Sequence, residues 1–86
     1  MEIDTMFEYD KKIIGKTIKK IRSNRKLSQE VLSSFAGIAR SHLSMIENGS
    51  KNANFETICK IALALNMNPH ELVKAIEDEY DNAHKP

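Results

Sequence analysis

A single cysteine, Cys59, rules out an internal disulfide in this 86-residue chain. It sits between Ile58 and Ile61 in an apolar helical pattern, which suits a small core residue better than a reactive thiol. No apolar run approaches the roughly 20 residues of a membrane-spanning helix. The opening MEIDTMFEYD is acidic and lacks the basic and apolar segments of a signal peptide. Together these absences point to a cytoplasmic chain with no membrane partner. There is no internal repeat, no low-complexity tract and no convincing strand. His42, His70 and His84 lack the partner spacing of a zinc site, so no metal and no other cofactor is expected. No glycine loop is present to cradle a phosphate. Ser41, His42, Ser44 and Glu47 crowd one stretch, but adjacent residues on a helix do not face one another, so no nucleophile–base relay is assembled. An enzyme is not expected. The length allows one small domain without a separate effector-sensing unit, and no small-molecule ligand is expected.

A formal net charge of +1 says little until it is located. Residues 1–10 carry Glu2, Asp4, Glu8 and Asp10 and no base. Residues 11–26 carry Lys11, Lys12, Lys16, Lys19, Lys20, Arg22, Arg25 and Lys26 and no acid. From 61 onward acids outnumber bases. A neutral total can therefore hide a basic binding face, although lysine-rich helix faces are also often merely solvated. The sequence divides into an acidic leader at 1–10, a folded domain at 11–78 and a polar tail at 79–86.

Apolar periodicity predicts an all-α domain of five short helices. The first runs over 10–24, with Ile14, Ile18 and Ile21 inward and Asp10 as its cap. Ser28 caps a second over 29–36, whose apolar side is Val31, Leu32, Phe35 and Ala36. Gly37 serves as a left-handed turn residue, Ile38 plugs the corner, and a third helix over 39–48 turns Leu43 and Ile46 inward. Asn54 caps a fourth over 55–65, with Phe55, Ile58, Ile61, Ala62 and Leu65 as its apolar stripe. Asn66 is a natural stop. Asn68-Pro69-His70-Glu71 then makes a clear helix start for a fifth over 69–78, burying Leu72, Val73 and Ile76.

The stretch 29–48 carries the strongest signal. A small residue, Ser33, stands where two helices cross, Gly37 makes the turn, and Leu32, Ile38, Leu43 and Ile46 fix the angle. That combination describes a helix-turn-helix whose second helix offers a polar face to DNA. Residues 14–72 resemble the DNA-binding domain of the Cro/lambda-type repressor (XRE) family, through Leu27-Ser28-Gln29-Glu30, Gly37-Ile38, Ile46-Glu47-Asn48-Gly49 and the Leu65…Pro69…Leu72 ending. The resemblance implies a five-helix, lambda-repressor-like domain acting as a homodimer on a two-fold operator in double-stranded DNA. Controller proteins of restriction-modification systems are similar in length. Ala39 departs from the family's usual Ser/Thr cap, and Ala53 from a common proline.

By that resemblance Arg40, Ser41, Ser44 and Met45 match base-reading positions. A guanidinium can donate two bonds to guanine, and Met45 either packs on a thymine methyl or covers the edge of the core. Ser28, Gln29, His42, Asn48, Lys51 and Asn52 match positions that grip phosphate. Arg22 and Glu47 match a buried structural salt bridge. A domain this small cannot bury every apolar residue of its last helix, which places the dimer surface at Leu65, Met67, Leu72, Val73 and Ile76, with Tyr80 nearby. The contrasting expectation is a protein-interaction module, such as an antitoxin or adaptor, that kept the fold without DNA.

Overall fold

The computed structural model describes residues 10–84. Apart from Asp10, the acidic leader lies outside them. Five helices follow in order: α1 (Lys11–Asn24), α2 (Gln29–Ala36), α3 (Arg40–Glu47), α4 (Phe55–Ala64) and α5 (Pro69–Ala83), with no strand among the described residues. Local chemistry sets most of these boundaries. The Asp10 carboxylate accepts from the Lys12 and Ile13 main-chain N–H groups at the start of α1. The Ser28 hydroxyl accepts from Val31 N at 3.1 Å, and the Asn54 side chain accepts from Thr57 N at 2.8 Å. At α5, Glu71 reaches back and its carboxylate accepts from the Asn68 N–H at 2.7 Å. The connections need left-handed backbone at Gly37 (φ 70), Gly49 (φ 81), Lys26 (φ 58) and Asn66 (φ 61).

The core forms where α1, α2, α3 and α4 meet. Ile18, Leu32, Leu43, Ile46 and Ile61 are fully buried there, and Leu65 and Leu72 close its far side. Buried Thr17 and Ser33 bond back to main-chain carbonyls of Ile13 and Glu30, so neither hydroxyl is stranded.

Gly15 lies buried where α1 crosses the end of α3. A Cβ there would collide with the Ile46 carbonyl oxygen and approach that of Glu47 to 2.8 Å. These two elements can pack this closely only because residue 15 has no side chain.

Three expectations change. The fifth helix does not stop at 78: it continues through Ala83, where Glu79 pairs with Lys20 of α1 at 3.0 Å and the Tyr80 and His84 rings stack. Val31, Phe35 and Phe55 are exposed rather than core, at 38%, 67% and 73%. Cys59 is half-buried rather than enclosed. No helix of the described residues is long and apolar enough to cross a membrane.

Candidate nucleic-acid interface

Helix α3 presents two different sides. Leu43 and Ile46 point into the core, while Arg40, Ser41 and Met45 are exposed and His42 and Ser44 are half-buried. Arg40 makes no hydrogen bond or ion pair among the described residues, so its fork of donors is uncommitted. It stands in the first turn, next to main-chain N–H groups that no side chain caps, because Ala39 has nothing to offer them. The backbone of Ala39 is nonetheless extended (φ −67, ψ 143), the conformation of an ordinary cap, and the helix start is not displaced. Met45 is 38% exposed, so the larger part of its surface is covered and the rest faces outward.

At its C-terminal end, α3 is clamped to α1. Arg22 Nε and Nη2 donate to the two Glu47 carboxylate oxygens at 2.7 and 2.9 Å, and Arg22 Nη1 donates to the Leu27 carbonyl at 2.7 Å. The side chains are 12% and 2% exposed. The hydrogen bond to Glu47 raises the Arg22 guanidinium above its ordinary value; burial opposes this and the carboxylate's charge adds to it. Gln29 completes the group by donating Nε2 to Glu47 Oε1 at 3.0 Å. This departs from the expectation that the Gln29 side chain stands ready for phosphate. It is turned inward to Glu47, and only the main-chain N–H groups at the start of α2 remain open there. Arg22 is likewise occupied and unavailable to a base.

The loop after α3 is shaped by one carbonyl. Met45 O accepts from Ser50 N, Ser50 Oγ and Lys51 N at 3.0, 3.2 and 3.2 Å. Asn48 Oδ1 accepts from Ser50 N at 2.9 Å. Lys51 and Asn52 are thereby brought beside His42, Asn54 and Thr57 around one shallow hollow at the start of α4, which Ala53 and Phe55 also line. Three of the expected phosphate positions, His42, Lys51 and Asn52, thus share one place, and the positive end of α4 adds to it. Ser28 lies apart, at the start of α2.

The basic run of α1 divides by use. Arg22 braces Glu47, Lys20 pairs with Glu79, and Arg25 Nη1 donates to the Leu65 carbonyl at 2.6 Å, closing the end of α4. Lys12 lies across Gly49. Lys11, Lys16, Lys19 and Lys26 are exposed and without a partner among the described residues.

The helix-turn-helix domain family matches residues 15–77. The control protein C.BamHI of Bacillus amyloliquefaciens is 34% identical over 62 residues, covering 71% of this chain and 76% of its own. The chain belongs to the helix-turn-helix family of XRE type. Two solved structures place this helix-turn-helix domain in the same architecture. The restriction-modification controller C.AhdI from Aeromonas hydrophila superposes with a TM-score of 0.70 at 35% identity, over 73% of this chain and 96% of that one. The controller C.Esp1396I, solved as a tetramer with its natural 35 base-pair operator, has a TM-score of 0.76 over 85% of this chain and 96% of that one. At 23% identity, that second likeness is one of fold.

The expected dimer surface needs correction within this family frame. Leu65 and Leu72 are 1% and 0% exposed and belong to the monomer core. Met67 and Ile76 are half-buried against that core, and only Val73, at 44%, stands well out. Sequence reasoning also missed Gly15 and the role of Arg25. Neither can be read without knowing which segment crosses them.

Proposed function

We propose that this chain is a sequence-specific DNA-binding transcriptional controller that works in the cytoplasm as a homodimer on a two-fold operator. The N-terminal half of α3 enters the major groove, and Arg40 reads a base with help from Ser41, Ser44 and the outward part of Met45. His42, Lys51 and Asn52 grip one stretch of backbone, joined by Asn48, and the open N–H groups after Ser28 grip another. One observation carries the reading. An unpaired arginine stands in the first turn of a helix whose far end is locked to the body by a bidentate ion pair. Locking the scaffold while leaving the reading group free is what recognition of a base edge requires.

The same arrangement argues against an interaction module that has lost DNA. Such a protein has no use for an uncommitted Arg40 on the recognition helix or an exposed, unpaired Lys51 in the loop that follows it. Mechanism is then occupancy: two recognition helices read two half-sites, and the bound dimer blocks or touches the polymerase. Selection from random duplex DNA tests the reading. The expected product is a two-fold motif with half-sites about 34 Å apart, or a multiple of it. Binding should weaken steeply as salt rises, because bound phosphates release counterions. Recovery of no preferred sequence would sink the proposal.

A further inference from the structure

Helices α2 and α3 are joined through the turn at Gly37, so Gln29 and Glu47 stand at the two ends remote from it along the chain. A side-chain bond reconnects those ends: Gln29 Nε2 donates to Glu47 Oε1 at 3.0 Å, across 18 positions of sequence. Among the described residues no other side-chain hydrogen bond or ion pair links α2 to α3. Arg22, which donates twice to Glu47, reaches the Leu27 carbonyl but no atom of α2 itself. Each bonded end leads straight into a stretch proposed to grip the DNA backbone. At the start of α2 the Val31 N–H is taken by the Ser28 hydroxyl and the Leu32 N–H by the Ser28 carbonyl, which leaves the Gln29 and Glu30 N–H groups open among the described residues. At the end of α3, Glu47 is followed at once by Asn48 and, in the same loop, by Lys51 and Asn52.

We propose that Gln29 is a positioning residue for sequence recognition: its bond to Glu47 sets the separation of these two backbone grips, and with it the seating of Arg40 in the groove. This role rests on the DNA-binding function proposed above. Gln29 touches no base in it and acts through Glu47. Apolar packing at Leu32, Leu43 and Ile46 holds the two helices together without prescribing direction, whereas a hydrogen bond to a carboxylate is short and directional. The amide suits the place, since it supplies a donor to a carboxylate already paired with Arg22 and adds no charge. Backbone contacts fix register and base contacts read within it, so an error in the spacing of the grips is felt first as lost discrimination. Non-specific binding needs cations near phosphates but no fixed register.

The test uses the full chain and two duplexes, the operator recovered by selection and a scrambled one. Gln29→Ala leaves both Arg22–Glu47 bonds in place, so the fold should persist, as the thermal transition checks. Its preference for the operator should fall about tenfold, the scale of one hydrogen bond to a charged group. Its affinity for the scrambled duplex should stay within about twofold of wild type, because no phosphate contact is removed. Gln29→Glu is the sharper probe. At neutral pH the introduced carboxylate faces Glu47 where the amide had bridged to it, and preference should fall further. As the pH drops toward about 5 the introduced carboxyl takes up a proton, above the ordinary ~4.3 because of the negative charge beside it, and its O–H can then donate to Glu47. The preference of Gln29→Glu relative to wild type should therefore recover in acid, whereas that of Gln29→Ala should not. A mere loss of stability shows in the thermal transition and does not separate the two duplexes. Unchanged operator preference in Gln29→Ala overturns the inference. So does an equal loss on both duplexes, the mark of a direct phosphate contact, or a Gln29→Glu loss that ignores pH. In each of those cases the wild type still prefers its operator and the proposed function stands; a wild-type chain that selects no sequence removes the function and the inference together.

Discussion

The two ends of helix α3 have opposite economies. At the C-terminal end the buried polar groups are matched: Glu47 accepts from Arg22 twice and from Gln29 once, Arg22 also reaches the Leu27 carbonyl, and Gly15 brings the α1 backbone almost onto α3. At the N-terminal end Arg40 has no partner among the described residues and Ala39 provides no cap. The C-terminal end resists change because its groups are buried and interdependent. The N-terminal end tolerates change structurally because water can replace what is lost. A regulator built this way should separate its mutations cleanly: those at the clamped end destroy folding, those at the open end destroy reading.

The sharpest break should come from Glu47→Ala. It strands the largely buried Arg22 guanidinium and removes the partner of Gln29, at a cost of about 3–5 kcal/mol. Chemical denaturation should register this as an earlier midpoint with an unchanged slope. Gly15→Ala comes next, at about 3 kcal/mol, the upper range for overpacking, because the new methyl meets main-chain oxygens that cannot rotate away. A thermal transition close to wild type would mean that α1 and α3 separate more easily than their packing indicates. Arg40→Ala should leave stability within about 0.5 kcal/mol, as surface changes do. Its loss should instead appear as about 1–3 kcal/mol of discrimination between the selected operator and a scrambled duplex. Undiminished preference for the operator would remove Arg40 from the reading role. Ala39→Ser supplies the missing cap and should add about 1 kcal/mol of stability, read as a raised melting temperature. Smallest of all, Lys51→Ala should weaken all sequences alike and reduce the salt-dependence slope by about 1.

Much of the fold was legible because it is written in local chemistry. Ser28, Asn54 and the Asn68–Glu71 start announce their helices, and Gly37 and Asn66 announce their turns. The errors have a common physical origin. Residue type was taken for residue direction: Phe35 and Phe55 are apolar yet point out, whereas Leu65 and Leu72, assigned to a dimer surface, close the core. The end of α5 was misread because polar residues 79–83 look like a frayed tail, while the Lys20–Glu79 pair that ties this segment to α1 is non-local. Lys26 adopts left-handed backbone without being glycine or asparagine, so its turn gave no sign. At the candidate site, the Arg22–Glu47 pair was legible through family likeness. The inward turn of Gln29 was not, since nothing in its own sequence neighbourhood reveals where Glu47 lies.

On the proposed function, the close approach at Gly15 also bears on how the protein measures DNA. With α1 and α3 in near main-chain contact, the end of the recognition helix is braced directly against the body of the protomer, and the two should move together. Each protomer is then a stiff caliper arm. The distance between the two tips is set at the one joint where the arms meet, so tolerance for operators of altered half-site spacing is a property of the protomer–protomer contact, and changing residues on α3 can alter which bases are read without altering how far apart they must be.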